Sequence, residues 1–79
     1  MKITVKVYGT LTRYLANYNH GQGLELEFPD HVDAAALIDD LGIPRSQVGM
    51  VSVNGQPVGA DDPFPDRAVV QVFQPIFGG

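Results

Sequence analysis

Residues 33–44 read Asp-Ala-Ala-Ala-Leu-Ile-Asp-Asp-Leu-Gly-Ile-Pro, and this stretch decides the architecture. Asp33 has the chemistry of a helix N-cap: its carboxylate can accept a bond from an early free N–H and sits at the positive end of the helix dipole. Good helix formers follow, and Ala34, Leu37, Ile38 and Leu41 fall on one apolar stripe. Gly42 is a natural C-terminal stop, and Pro44 prevents the helix from resuming. A helix of about two turns is marginal in isolation. Its stripe must therefore be covered by something apolar.

The flanking segments supply that cover. Toward the N-terminus, residues 2–8 alternate, with Lys2, Thr4 and Lys6 facing one way and Ile3, Val5 and Val7 the other. A period of two marks a half-buried strand. Gly9 breaks it, and Leu11, Tyr14 and Leu15 then follow at roughly helical spacing. Residues 17–23, with Asn19, His20, Gly21 and Gly23, form an exposed turn. Leu24, Leu26 and Phe28 alternate with Glu25 and Glu27, giving a second strand that is expected to pair with the first and to end at Pro29 and Asp30.

Toward the C-terminus, residues 48–53 read as a third strand, Val51 and Val53 inward and Met50 and Ser52 outward. Asn54-Gly55 is a two-residue hairpin signal leading to a short strand at residues 56–58. Residues 59–66 hold two prolines and three aspartates and form a loop, from which Phe64 plugs the core. Residues 68–73 are the last strand, Val70 and Val72 inward. Gln74-Pro75-Ile76-Phe77-Gly78-Gly79 run beyond it.

One amphipathic helix thus covers the single apolar face of a mixed sheet of four to five strands, an α+β two-layer solution. A β-grasp arrangement satisfies the order, with the first and last strands paired at the centre. Residues 1–75 form the expected folded domain and residues 76–79 a flexible C-terminal diglycine tail.

Composition narrows the function. The 79 residues give one modest core, and with no cysteine, disulfides, thiolate metal sites and cysteine catalysis are excluded. Nine acidic against five basic residues, a net charge of −4, argue against nucleic-acid binding, which needs a basic surplus on one face. No apolar run approaches a membrane span and no signal peptide is apparent, so the expected location is cytoplasmic. His20 and His31 are the only histidines and sit in no ligand or triad spacing. Asp30, His31 and Asp33 could be drawn as a metal cluster, but they flank a helix start, where capping explains them better. Asp39-Asp40 reads as a solvated helix face and Asp61-Asp62 as turn chemistry. Gly21-Gln22-Gly23 lacks the strand-to-helix context of a phosphate loop. No metal site, no bound cofactor and no catalytic apparatus of its own is expected.

Val7-Tyr8-Gly9 followed by Leu11 and Arg13, the Leu41-Gly42-Ile43-Pro44 helix ending, Val53-Asn54-Gly55, and Pro75 near a terminal Gly78-Gly79 occur in one order over nearly the whole chain. In this pattern the chain resembles the sulfur carriers of the molybdopterin synthase small-subunit and thiamine sulfur-carrier family, which are ubiquitin-like β-grasp proteins. It departs from them in three places. The usual Gly-Asp pair before the last strand is matched by Arg67-Ala68, one of two common prolines by Gln74, and a small residue before the diglycine by Phe77.

The resemblance implies that Gly79 is the reacting residue. An E1-like enzyme would adenylate its carboxylate with ATP, sulfur would displace AMP, and the thiocarboxylate would serve a synthase large subunit or a thiazole synthase. The chain itself would be a carrier, a monomer when alone. Pro75, Ile76, Phe77 and Gly78 would form the inserting arm, which from Pro75 to Gly79 reaches about 17 Å when fully extended. Glycine suits this end, because without Cβ it passes a narrow channel. Phe73, Met50 and Tyr8 should point to the open face of the sheet and would be the docking patch, aromatic residues and Met being enriched at interfaces. Two other functions fit the same residues: a ubiquitin-like modifier joined through Gly79 to lysines, and a plain β-grasp interaction domain with an inert tail.

Overall fold

The computed structural model describes residues 1–19 and 21–75. Its five strands are β1 (Lys2–Val7), β2 (Leu24–Glu27), β3 (Met50–Val53), β4 (Gln56–Val58) and β5 (Ala68–Phe73), with one α-helix, α1 (Ala34–Leu41). They form a single mixed sheet in the order β2-β1-β5-β3-β4. The first and last strands lie side by side and parallel, Ile3 opposite Ala68 and Val7 opposite Val72, while the other pairings are antiparallel. This is the ubiquitin-like β-grasp expected from the order of elements.

The helix is capped at both ends as its sequence requires. The Asp33 carboxylate accepts from the Ala36 N–H at 2.9 Å. Gly42 adopts φ 75°, its N–H donates to Asp39 O at 3.1 Å, and the Ile43 N–H donates to Ile38 O at 3.2 Å. This pair of bonds is a Schellman motif, and the two residues joined by its longer bond, Ile38 and Ile43, are both buried. The apolar stripe of α1 joins Ile3, Val5, Val7, Val51, Val53, Val70 and Val72 in one core. Phe64 plugs it from the loop, with its N–H on Val32 O at 2.9 Å. The same loop braces the helix start, where the Ala35 N–H donates to Ala60 O.

At the β3–β4 hairpin Asn54 and Gly55 have φ 51° and 87°, the two positive values of a type I′ turn. Asn54 also reaches sideways: its Oδ1 accepts from the Val69 N–H and its own N–H donates to Val69 O, both at 2.9 Å. The hairpin tip is thereby stitched to the central strand.

Three expectations need correction. The third strand begins at Met50 and not at residue 48, because Arg45–Gln47 form a 3-10 turn that the Val48 N–H closes on Arg45 O. The first strand ends at Val7, although the Tyr8 N–H continues the ladder to Val72 O at 3.0 Å. Ser52 does lie on the face away from the helix, but it is only 4% exposed. Gln71, its neighbour across the ladder, holds its hydroxyl at 3.0 Å. The Leu11, Tyr14 and Leu15 spacing corresponds to a 3-10 helix at Gly9–Tyr14, with Leu11 buried.

Candidate functional site

The face of the sheet opposite α1 has no layer over it among the described residues, and its character changes across the strands. On the β2 side it is charged: Lys2 stands opposite Glu27 and Thr4 opposite Glu25. These four residues and Arg67 line a shallow groove. On the β3 side, near the C-terminal end of β5, it is aromatic and apolar.

The ladder builds that second region. Register sets Met50 beside Phe73, and Val7 beside Val72, which carries Tyr8 alongside Phe73. The Tyr8 and Phe73 rings stack with centroids 4.7 Å apart and planes 13° from parallel. Both are half-buried as a result, whereas Met50 is 45% exposed. A polar chain runs beside the rings. Ser52 Oγ donates to Gln71 Oε1 at 3.0 Å, and Gln71 Nε2 donates to the Tyr8 hydroxyl at 2.9 Å. It orients the Gln71 amide and ties the tyrosine to the strand. Sequence reasoning missed this chain; the one signal for it is a glutamine at mid-strand, opposite a serine, on the face that also carries Phe73.

The chain leaves β5 through a narrow place. The Gly49 N–H donates to Phe73 O at 2.7 Å, and a Cβ at residue 49 would stand 2.6 Å from Pro75 Cα and 2.8 Å from Gln74 O. Backbone lies where a side chain would be, so only glycine fits there. On the other side Gly9, at φ 64°, faces the Gln74 side chain so closely that a Cβ would collide with its amide. The Gln74 Oε1 accepts from the Thr10 N–H at 2.7 Å and the Thr10 hydroxyl at 3.0 Å.

Of the residues read as functional in the sequence, Tyr8, Met50 and Phe73 form one contiguous patch, and Pro75 lies at its edge. Ile76, Phe77, Gly78 and Gly79 lie outside the described residues, as does His20. The acidic residues near His31 are engaged by backbone: Asp30 accepts from the His31 N–H at 2.7 Å, and Asp33 caps α1. Among the described residues no group of three or more histidines and carboxylates is placed to hold a metal ion, and no helix is long and apolar enough to cross a membrane.

The resolved shifts in ionisation fall away from the patch. Asp39 is held below the usual carboxylate range by hydrogen bonds from Arg45, at 3.0 Å and 2.6 Å, and Arg45 is raised in turn. Both side chains are more than half exposed, so this pair contributes little to stability. Asp66 is lowered chiefly by the Lys2 backbone N–H, which it accepts at 2.9 Å.

Comparison with known proteins bears on the fold. A family model described as Mut7-C ubiquitin matches residues 1–77. A Pyrococcus furiosus protein assigned as molybdopterin converting factor, subunit 1, superposes with a TM-score of 0.69 at 23% identity, over 95% of this chain and 98% of its own. SAMP1 from Haloferax volcanii superposes with a TM-score of 0.67 at 14% identity, over the whole of both chains. No curated protein matches the sequence.

Proposed function

We propose, from the premise that this chain belongs to the Mut7-C ubiquitin family, that it is a sulfur carrier whose reacting group is the Gly79 carboxylate. The observation that supports this reading is where the fold ends its last strand. β5 is the central strand, held on both sides by β1 and β3, and it ends at Phe73 in the aromatic patch, with residues 74–79 still to follow. A partner that takes Tyr8, Phe73 and Met50 against its own surface would have the carboxylate within about 17 Å of Pro75, the reach of an extended arm.

The chemistry follows from what a carboxylate lacks. It does not react with sulfide, because its leaving group would be an oxide. On an E1-like enzyme it attacks the α-phosphorus of ATP; pyrophosphate leaves and an acyl adenylate forms. Hydrosulfide then attacks the acyl carbon, the bond to AMP breaks, and the product is a thiocarboxylate with no change in the oxidation state of carbon. The carrier contributes position and access. Two glycines keep the reacting end thin enough for a channel, and Pro75 limits the entropy lost on insertion. The acceptor would be a synthase of the molybdopterin or thiazole type, and ATP belongs to the activating partner.

Removing Gly79 tests this. The truncated chain should melt at the temperature of the full chain, because a glycine has no side chain to bury in a core. It should no longer drive ATP–pyrophosphate exchange with the adenylating enzyme of the same organism. Exchange at the full rate without Gly79 would sink the reading. Intact-mass measurement on protein from cells separates the acceptors: substitution of one oxygen by sulfur indicates a carrier, and isopeptide-linked Gly-Gly remnants on lysines indicate a modifier.

A further inference from the structure

Gln74 is the first residue beyond β5 and is exposed, yet its side chain folds back onto the turn that follows β1. Both hydrogen bonds it accepts come from Thr10, and they converge on one oxygen. The amide lies against the bare Cα of Gly9, and the Gln74 and Pro75 backbone lies against the bare Cα of Gly49. The chain therefore leaves the sheet between two glycines, one from the β1 side and one from the β3 side, with a side-chain clamp across the first. An exposed glutamine with no task would sample many rotamers, and holding it costs conformational entropy. Gly9, in a left-handed conformation, leaves the room this side chain occupies, and Gly49 leaves room for the backbone that follows it.

We propose that Gln74 is a positioning residue: its side-chain carbonyl, held by Thr10, fixes the direction in which the C-terminal arm leaves the body. This role rests on the carrier function proposed above and goes beyond it. With the base of the arm fixed, docking the body also aims the arm, and less orientational freedom remains to be lost when the carboxylate enters the adenylating site. Without the clamp the base is held only from the Gly49 side, and a larger share of encounters present the arm in a wrong direction. The chemistry after insertion is unchanged, so the effect belongs on KM and not on kcat.

Two variants of the full chain separate this role from a merely structural one. Gln74→Leu keeps the approximate volume and removes the acceptor. Gln74→Glu keeps an oxygen that can accept from the same N–H and O–H. Each is assayed by ATP–pyrophosphate exchange with the adenylating enzyme of the same organism, and melted, with amide exchange followed at Thr10. Gln74→Leu should raise KM about tenfold with kcat unchanged, equivalent to roughly 1.4 kcal/mol, the scale of one or two exposed hydrogen bonds. Its melting temperature should fall by no more than a few degrees, and its Thr10 amide should exchange faster. Gln74→Glu should return KM to within about twofold of wild type. A Gln74→Leu chain that matches wild type overturns the positioning role and leaves the carrier function standing. Leu and Glu variants impaired alike overturn the acceptor role of the oxygen. A wild-type chain that drives no exchange removes the carrier function, and the positioning role with it.

Discussion

The two faces of the same sheet are held by different means. Under the helix, Val5, Val7, Val70 and Val72 are fully buried, and every one is a small aliphatic residue in strict alternation. On the opposite face Tyr8, Phe73, Gln71 and Ser52 are linked by one ring stack and two side-chain hydrogen bonds. Ser52 is about as buried as Ile43, at 4% against 3%, although no helix among the described residues covers it. Burial alone therefore does not distinguish core from surface here. What distinguishes them is the kind of contact: non-directional packing on one side, directional polar and aromatic contacts on the other. The first kind is expensive to disturb. The second costs less to disturb.

The largest test of that contrast is Leu37→Ala. Leu37 is fully buried at the middle of the helix stripe, and truncating a buried leucine typically costs 2–5 kcal/mol, about 3 here. In a domain this small that is a large part of the total stability. Urea unfolding should show it; a loss under about 1 kcal/mol would mean the helix face is poorly packed and the contrast false.

Phe73→Glu comes next. The substitution loses the stack on Tyr8, worth about 0.5–1.5 kcal/mol, and leaves the helix-covered core untouched. The melt should fall by no more than that implies, while affinity for the adenylating enzyme should fall at least about thirtyfold, as for a central aromatic anchor. Calorimetric titration of the two proteins decides it. Unchanged affinity would leave the aromatic patch as surface and move docking elsewhere.

A smaller effect, of opposite sign, is expected at the charged end of the open face. Arg67 has φ 61°, a left-handed conformation that side chains disfavour, with its N–H fixed on Lys2 O at 2.7 Å. Arg67→Gly should stabilise the fold by about 0.5–1 kcal/mol, the conformational relief being partly offset by a freer unfolded chain. A loss of stability in denaturant titration would show that the arginine side chain holds more than the groove geometry suggests.

The smallest concerns the neighbouring Asp66. Its folded-state ionisation lies below the unfolded one, chiefly through the Lys2 N–H. Its contribution is thus present above the ordinary carboxylate range and is lost as pH falls through the depressed folded value. Asp66→Asn should lower stability slightly at neutral pH and flatten the decline seen on acidification below about pH 4. Parallel acid titrations of the two chains would show no difference if the bond does not form.

Most of the fold was legible because its signals are local or periodic. Asp33, Gly42 and Pro44 bracket the helix, Asn54-Gly55 requires two positive φ values, and the valines of β1 and β5 keep a period of two. The start of β3 was not legible, since Val48 is as apolar as Val51 and only the preceding 3-10 turn excludes it. The placement of Tyr8, Met50 and Phe73 on one face followed from strand parity, but their contact with one another depends on the pairing of β1, β5 and β3. The Ser52–Gln71–Tyr8 chain and the hold of Thr10 on Gln74 join residues 19 to 64 positions apart, and no local pattern announces them. Arg67 shows the reverse case, a site where the resemblance led one to expect glycine and the backbone still adopts a glycine-like conformation.

The parallel pairing of β1 with β5 has a consequence for how the chain comes into being. The strand made first finds its central partner only in the strand made last, so the middle of the sheet cannot close during early synthesis. Loop-closure entropy must be met before that ladder returns anything, which places the fold among the slower ones for its length. Until then β1 has an open edge able to pair with another chain. Completion of β5 closes the edge, and it is the same event that carries Gln74 to Thr10. Closure of the sheet and the hold of Thr10 on Gln74 therefore arise together.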